Sequence, residues 1–332
     1  MNFNLNMKKI YISLIFLLFF FALISLILGN IKISLNDMIG SLFNNSNVDE
    51  SVKVIILNVR LPRIVMAILI GMLLASSGTV VQTVFQNPLA DPYIIGISAS
   101  ATFGAVIAFI LGLPDLMYGI FGFLTSVIVA LIIFRLSKAK TSTDMTTLLI
   151  VGIAISSFLG AFTSFSMYLI GQDSFRIVAW MMGYIGGASW IKVVILIIPL
   201  VISISYFYLK RNELDLLLSG DEEAHSMGVD VGKLKKHTLV VSALIVGFSV
   251  AFTGMIGFVG LIAPHTVRLL TKSSSNTKLI PLSTLGGGVF LLFCDTIGRT
   301  LLNPVEIPIG VVTAFFGAPF FLYLAMKRKR GV

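Results

Sequence analysis

Long uncharged hydrophobic runs dominate the pattern of polar and apolar positions along this chain. Runs of more than twenty residues without a formal charge lie, among other places, between Lys9 and Lys32, Arg63 and Asp91, Asp91 and Asp115, and Asp144 and Asp173. A helix of roughly 20 apolar residues crosses a hydrocarbon core of about 30 Å. Only helices and closed barrels satisfy the backbone there. The pattern therefore predicts an all-α, polytopic membrane protein.

Ten hydrophobic segments have the character of membrane-spanning helices. The predicted spans are 10–29, 61–85, 94–112, 116–136, 145–170, 190–209, 237–254, 256–270, 279–302 and 309–326. The 30 residues from Thr238 to Val267 are too long for one span, and glycines 254, 257 and 260 divide them into two. Since no linker rich in proline, serine or charge separates the segments, we expect one membrane domain over residues 1–332.

Charged residues are few and unevenly distributed. They make up 12% of the chain, against about 25% in soluble domains. With the N-terminus inside, seventeen of the 24 lysines and arginines lie on the cytoplasmic side and seven lie outside. This positive-inside bias predicts that both termini are cytoplasmic. The net charge of +9 therefore indicates a lipid bilayer, not nucleic acid, as the partner.

The segment Arg60-Leu-Pro-Arg63 opens the second span on the outer side, with Pro62 suited to the first turn of a helix. Two cations at a helix N-terminus oppose the helix dipole. They can serve as interfacial anchors that snorkel to the headgroups. Alternatively, their guanidinium groups await carboxylates of an external partner, which suits bidentate geometry.

The cytoplasmic segment 214–236 carries an acidic cluster, Gly220-Asp-Glu-Glu-Ala-His-Ser-Met-Gly228, which on its own reads as a solvated loop. The nearby Gly228-Val-Asp-Val-Gly-Lys233 lacks the spacing of a phosphate-binding loop, and Leu234 stands where Ser or Thr would bind magnesium. We therefore expect no ATPase site, and no enzyme, in this chain. The three histidines are scattered and lack metal-ligand spacing, so we expect no metal site and no cofactor.

Several motifs resemble the FecCD/BtuC-type permease subunits of type II ABC importers for iron-siderophores, haem and cobalamin. The resemblance covers roughly residues 55–325. It is carried by Arg60-Leu-Pro-Arg63, the small-residue stretch Gly71 to Gly78, Asn87-Pro-Leu-Ala-Asp-Pro92, Gly257-Phe-Val-Gly-Leu-Ile-Ala-Pro-His265 with Arg268, and Glu306-Ile-Pro-Ile-Gly-Val-Val-Thr-Ala-Phe-Phe-Gly-Ala-Pro319.

The resemblance implies a BtuC-like fold of about ten transmembrane helices in a bacterial cytoplasmic membrane. It implies a permease that passes a metal chelate inward, with a ferric siderophore as the expected cargo and haem or cobalamin as alternatives. The implied partners are two cytoplasmic ATP-binding subunits, an extracytoplasmic substrate-binding protein, and a second permease subunit, identical or paralogous.

The resemblance also implies roles for particular residues. Docking of the binding protein falls to Arg60, Arg63 and Arg299, although Asp295 stands four residues before Arg299 and an i,i+4 pair would hold that arginine instead. Contact with the ATP-hydrolysing subunit falls to two short helices that include Glu222, Glu223, Ala224, His225, Met227 and Gly228.

The fifth and tenth helices would line the passage between two subunits. Their candidate residues are Thr163, Ser164, Ser166, Met167, Val311, Thr313, Ala314 and Phe316. Each of these is also typical of helix-packing surface. Candidate cytoplasmic gate residues are Asn87, Pro88 and Leu89, together with Thr146 and Thr147.

Two other functions compete with an ABC permease. An ion-coupled secondary transporter normally carries ionisable groups near the bilayer midplane. Only Asp295 and Glu306 approach that description, and both are expected toward the outer ends of their helices. An intramembrane enzyme would need a nucleophile–base pair or a set of metal ligands, and the sequence shows neither constellation.

Overall fold

A computed structural model describes residues 2–29, 31, 33–43, 48–137 and 145–329, with side chains except at 2–6, 94, 95, 115, 145, 324, 325 and 327–329. Lys32, Lys138, Lys140 and Arg330, which count toward the charge asymmetry, lie outside the described residues. The α-helices are α1 Asn2–Ile27, α2 Leu35–Leu42, α3 Glu50–Val54, α4 Leu61–Val84, α5 Ile97–Ile110, α6 Asp115–Leu136, α7 Met145–Ile170, α8 Phe175–Met181, α9 Trp190–Leu209, α10 Arg211–Leu217, α11 Asp221–Ser226, α12 Val231–Thr253, α13 Val259–Thr271, α14 Asn276–Thr300 and α15 Ile309–Lys329.

A helix stands at each of the ten predicted spans, which confirms the all-α prediction. Within the described residues, seven helical stretches are long and apolar enough to cross a membrane: Met7–Ile27, Glu50–Val84, Leu116–Leu136, Thr146–Met181, Trp190–Leu209, Val231–Thr253 and Asn276–Thr300. The apolar helices α5 and α15 and the 13-residue α13 account for the other three spans. The protein is therefore a multi-pass membrane protein.

The start of the second span differs from the prediction. The predicted span begins at residue 61, but the helix begins at Glu50. It is continuous from there through α3, a π-helical segment Ile55–Arg60 and α4. Pro62 has no N–H and its ring crowds the carbonyl four residues earlier. The π-helical turn just before it is a local widening that accommodates such a residue. The helix-dipole argument for Arg60 and Arg63 was therefore wrong.

The predicted break between the seventh and eighth spans is confirmed. Helix α12 ends at Thr253 and α13 begins at Val259. Gly254 has a φ of +68°, and a Cβ there would overlap the carbonyl oxygen of Trp180. The Tyr184 N–H donates to the carbonyl of Thr253 at 2.7 Å, which satisfies one of the terminal acceptors of α12. The break leaves the segment 254–258 free to line a cavity.

Helix α4 lies at the centre of the bundle. In its most hydrophobic stretch 83% of the residues are buried, against 11% for the peripheral α1. Glycines permit the close approach of its neighbours, since a Cβ at Gly71 would overlap the carbonyl of Gly287 on α14, and one at Gly78 would overlap the carbonyl of Gly260 on α13. Small residues of this kind favour van der Waals packing between helices in membranes.

Helices α4 and α14 run antiparallel along their common contact. Arg63 near the start of α4 pairs with Asp295 near the end of α14 at 2.9 Å. At the opposite end, the hydroxyl of Thr83 lies 3.0 Å from the side-chain oxygen of Asn276, the first residue of α14. A polar contact therefore closes each end of the glycine-packed interface.

We expect Gly78→Ala to destabilise the protein by about 1–3 kcal/mol, because the added methyl overlaps backbone that cannot rotate away. The measurement is the thermal unfolding midpoint of the purified protein in detergent. Gly160→Ala is the matched control, since Gly160 lies inside α7 and a Cβ there meets nothing within 4 Å. That change should raise stability by up to about 1 kcal/mol. Equal midpoints for the two variants would contradict the packing argument.

Candidate functional site

A buried cluster of charges lies at the end of the bundle where α4 begins and α14 ends. Arg63 on α4 donates from Nε to Asp295 at 3.0 Å and from Nη1 to both carboxylate oxygens of Glu306 at 3.0 Å. Arg299 approaches the other oxygen of Asp295 at 3.2 Å, which confirms the predicted i,i+4 pair. Asp295 is 1% exposed and is shared by two guanidinium groups. Removing one partner from a buried pair of this kind typically costs about 3–5 kcal/mol.

Two of the three arginines also close the end of α1. Arg60 donates to the carbonyl of Ile27 at 3.0 Å and to that of Leu26. Arg299 donates to the carbonyl of Ser25 at 2.9 Å. The last carbonyls of a helix have no partners within the helix and carry partial negative charge. The guanidinium groups therefore act as a C-terminal cap from two other helices.

The three predicted docking residues thus lie together, on the walls of one cavity of about 190 Å³ that Glu306 also lines. All three arginines are buried within the chain. Glu306 is the more accessible carboxylate of the cluster, with 26% of its side chain exposed. Sequence reasoning did not assign Glu306 a role beside Arg63.

Two larger cavities adjoin each other, and Met181 and Met255 line both of them. One, of about 510 Å³, lies against α7 and the start of α5. The other, of about 660 Å³, lies against α15 and the segment 254–258. Their lining residues within the described part of the chain are apolar, hydroxyl-bearing or thioether side chains with no formal charge. Methionine adapts its shape readily to what it contacts.

Five of the eight predicted pathway residues line these cavities. They are Thr163, Ser164 and Met167 on α7 and Val311 and Ala314 on α15. Ser166 and Thr313 are buried, and Phe316 packs against Phe293 with tilted rings whose centroids lie 5.3 Å apart. Sequence reasoning missed Met255, which joins the two cavities and accepts a hydrogen bond from Ser98 at 2.7 Å. Its place after the predicted helix break was the available signal.

The predicted gate residues lie at two helix ends. Asn87, Pro88 and Leu89 form an exposed turn after α4, in which the Asn87 side chain accepts the N–H of Leu89 at 2.9 Å. Thr146 and Thr147 lie in the first turn of α7.

Asp91, which follows the turn 87–89, lines another cavity, of about 200 Å³, together with Met255. Burial raises the pKa of the Asp91 carboxyl to about 6.

The acidic segment forms two short helices, α10 and α11, as the resemblance implied. Exposed on α11 and just after it are Glu222, Glu223, His225, Met227 and Gly228. The side chain of Ala224 faces inward and is fully buried, so it anchors the helix and does not contribute to the outward surface. Farther on, hydrogen bonds from Lys233 hold the pKa of the exposed Asp230 below its usual range.

Polar contacts attach these two helices to the bundle. The Gln86 side chain, just after α4, donates to the carbonyl of Leu217 at 2.7 Å. Asp221 at the start of α11 pairs with the buried Lys235 of α12 at 2.5 Å. The acidic segment is therefore a fixed part of the fold and not a loop surrounded by solvent, as its composition alone suggested.

Comparisons with known proteins agree with this architecture. The FecCD transport family matches residues 17–327. A cobalamin import system permease protein, BtuC, of Halobacterium salinarum is 39% identical, over 85% of this chain and 76% of that protein. A hemin transport system permease protein, HmuU, of Yersinia pestis is 37% identical, over 86% of this chain and 87% of that protein.

The fold also matches a solved structure, described as an inward-facing conformation of a metal-chelate type ABC transporter. The TM-score is 0.82 at 33% sequence identity, and the match covers 96% of this chain and 99% of the other. Identity and coverage of this order, over nearly the whole length, show common family membership. The chain therefore belongs to the FecCD transport family and is a permease subunit of the type II ABC importer kind.

Proposed function

We propose that this chain passes a ferric siderophore from an extracytoplasmic binding protein to the cytoplasm, using ATP hydrolysed by two separate cytoplasmic subunits. The observation that carries the proposal is the pair of cavities that meet at Met255, with a combined size suited to a bulky ligand. Their uncharged walls offer a passage without a tight binding site. Such a wall suits cargo that a separate receptor recognises and delivers.

The two cavities adjoin at Met181 and Met255, with α7 lining one and α15 lining the other. A second permease subunit, identical or paralogous, would close them into a passage. The resulting complex would lie in a bacterial cytoplasmic membrane with both termini inside, as the charge asymmetry indicates. The whole chain, residues 1–332, would act as one permease domain.

The charge cluster argues against an ion-coupled secondary transporter. Asp295 and Glu306, the carboxylates that approach the membrane interior, are both paired with Arg63. Asp295 also pairs with Arg299. Carboxylates that carry a proton or sodium ion normally lie within the membrane, facing the bundle interior or a water-filled cavity. These two groups are instead held in a network at the outer end of the bundle.

Cobalamin and haem remain the second candidate cargoes, because similar permeases are named for those compounds. The test uses purified permease with its ATP-binding subunit and binding protein in proteoliposomes. Uptake of ⁵⁵Fe-ferrichrome, hemin and cyanocobalamin is compared with and without ATP. We expect ATP-dependent uptake of the ferric siderophore. ATP-dependent uptake of hemin or cyanocobalamin alone would change the cargo, and uptake driven by a proton gradient without ATP would overturn the proposal.

The exposed face of α11 is proposed to contact the ATP-hydrolysing subunit. We expect the double change Glu222→Ala and Glu223→Ala to release that subunit from the purified complex and to reduce cargo uptake, because the carboxylates face outward from the inner surface. Membrane insertion should be unchanged. Retention of the subunit on an affinity tag and uptake in proteoliposomes are the two measurements.

Glu213→Ala is the matched control for this test. Glu213 lies on the neighbouring α10 and forms a half-exposed pair with Lys210 at 2.7 Å. An exposed pair of that kind contributes about 0–1 kcal/mol. The control should therefore retain the subunit and transport normally. If the double variant also behaves like wild type, the acidic segment is not the coupling surface.

The arginine cavity is proposed to receive carboxylates of the binding protein. Reversing Arg63 to a carboxylate would bury it beside Asp295 and Glu306, so that change tests folding more than docking. Glu306 offers a sharper test, since it competes for the guanidinium group that a docking carboxylate would occupy.

We expect Glu306→Gln to tighten binding of the binding protein about fivefold to tenfold at low salt, because the competing charge is removed while the side chain keeps its shape. The gain should shrink as salt rises, since charges near the surface are screened. The measurement is the dissociation constant in detergent or nanodiscs at several ionic strengths. Glu50→Gln is the control, because Glu50 is an exposed carboxylate on the same side that pairs with Lys53 at 2.7 Å and not with the three arginines. An unchanged affinity for Glu306→Gln at low salt places docking elsewhere.

A further inference from the structure

The carboxylate of Asp215 on α10 caps a helix to which it does not belong. One of its oxygens accepts the backbone N–H of Asn276 at 2.5 Å and the side-chain amide of the same residue at 2.9 Å. The other accepts the hydroxyl of Ser275 at 2.7 Å. Asn276 is the first residue of α14, and Ser275, at the N-cap position, makes no cap hydrogen bond to its own helix.

The capping group is therefore supplied by the segment that is proposed to meet the ATP-hydrolysing subunit. Free N–H groups at a helix N-terminus attract an anion, and the helix dipole adds to that attraction. The three hydrogen bonds and the charge fix the position of α10 relative to the first turn of α14. A displacement of α10 must either break them or move α14.

The same contact continues into α4. The side-chain oxygen of Asn276 faces the hydroxyl of Thr83 at 3.0 Å, and both residues are fully buried. The exposed turn 87–89, with its candidate gate residues, follows directly after α4. Asp215, Asn276 and Thr83 therefore form an unbroken polar chain from α10, through α14, to the inner end of the central helix.

We propose that Asp215 is a positioning residue for transport: it transmits displacement of the α10–α11 segment to the inner ends of α14 and α4. The segment's contact with the ATP-hydrolysing subunit is the part that rests on the proposed function. Asp221, on the α11 half of the segment, pairs with Lys235 of α12. The segment is therefore attached to α12 as well as to α14, and a displacement of the segment moves these helices with it. Loss of the Asp215 link separates ATP hydrolysis from the opening of the passage.

The test replaces Asp215 by Asn in the full complex with its ATP-binding subunit and binding protein in proteoliposomes. We expect normal assembly and basal ATP hydrolysis, loss of the stimulation of hydrolysis by the binding protein, and a fall of about fivefold or more in ⁵⁵Fe-ferrichrome uptake per ATP. The stimulation readout needs no knowledge of the cargo. Unchanged stimulation and unchanged uptake per ATP would overturn the proposal.

Asp230→Asn is the matched control. The Asp230 carboxylate, like that of Asp215, caps the start of a helix. In this case the helix is the one that directly follows it: Asp230 accepts the N–H of Lys233 at 3.0 Å and pairs with the same lysine. It links no other element through these bonds. The control loses the same charge from a cap and should keep wild-type uptake per ATP. An equal loss in both variants would also overturn the transmitting role.

Thr83→Val provides a second test that does not depend on the folding of the Asp215 variant. It removes one hydroxyl at nearly constant volume, and Thr79→Val does the same one turn earlier, where the hydroxyl donates to Ala75 of its own helix. Uptake per ATP should fall for Thr83→Val and stay normal for Thr79→Val. The Asp215→Asn, Thr83→Val double variant should be no worse than Asp215→Asn, because the two contacts act in series.

The outcomes separate this inference from the proposed coupling surface. If Glu222→Ala with Glu223→Ala releases the ATP-binding subunit while the Asp215 and Thr83 variants transport normally, only the transmission role fails. If the glutamate variant retains the subunit and transports normally, the coupling surface itself is refuted.

Discussion

The close contact of α4 with α14 is the constraint on which the other features depend. Glycines let the two backbones touch, and a membrane offers no hydrophobic gain to replace that contact once it is lost. Because the helices run antiparallel, one contact places the arginine cluster at one end of the pair and the Asp215 chain at the other. This central pair therefore joins the proposed docking surface for the binding protein to the proposed contact with the ATP-hydrolysing subunit.

The sequence predicted the transmembrane architecture well because lipid leaves few choices. Spans had to be helical and apolar, and the break after Gly254 was visible as an uncharged run too long for one crossing. Hydrophobicity was less informative where the helix extends beyond the apolar run. Glu50 and Lys53 concealed the true start of the second helix, since charged residues outside the hydrocarbon core can continue a helix that hydropathy ends.

The sequence identified which arginines belong to the candidate docking site, but it did not reveal the contacts that they make within the chain. The resemblance named Arg60, Arg63 and Arg299, and the structure brings them together, yet it also commits them to partners within the chain. Arg63 and Asp295 are 232 positions apart, and no local sequence pattern indicates a contact between them. The i,i+4 spacing of Asp295 and Arg299 indicated only the second of the two pairs that Asp295 forms. Asp215 was one charge among several in a cytoplasmic segment, and its role depends on a helix start that lies 61 positions later.

The capping of α1 by Arg60 and Arg299 has a consequence for how the protein is made. Helix α1 is synthesised before α14, and Arg299, which donates to the carbonyl of Ser25, follows that residue by 274 positions. Until then the carbonyl of Ser25 lacks this partner, although Arg60, the cap of Leu26 and Ile27, is already in place. A chain that stops before α14 therefore lacks one of the two guanidinium groups that cap the end of α1.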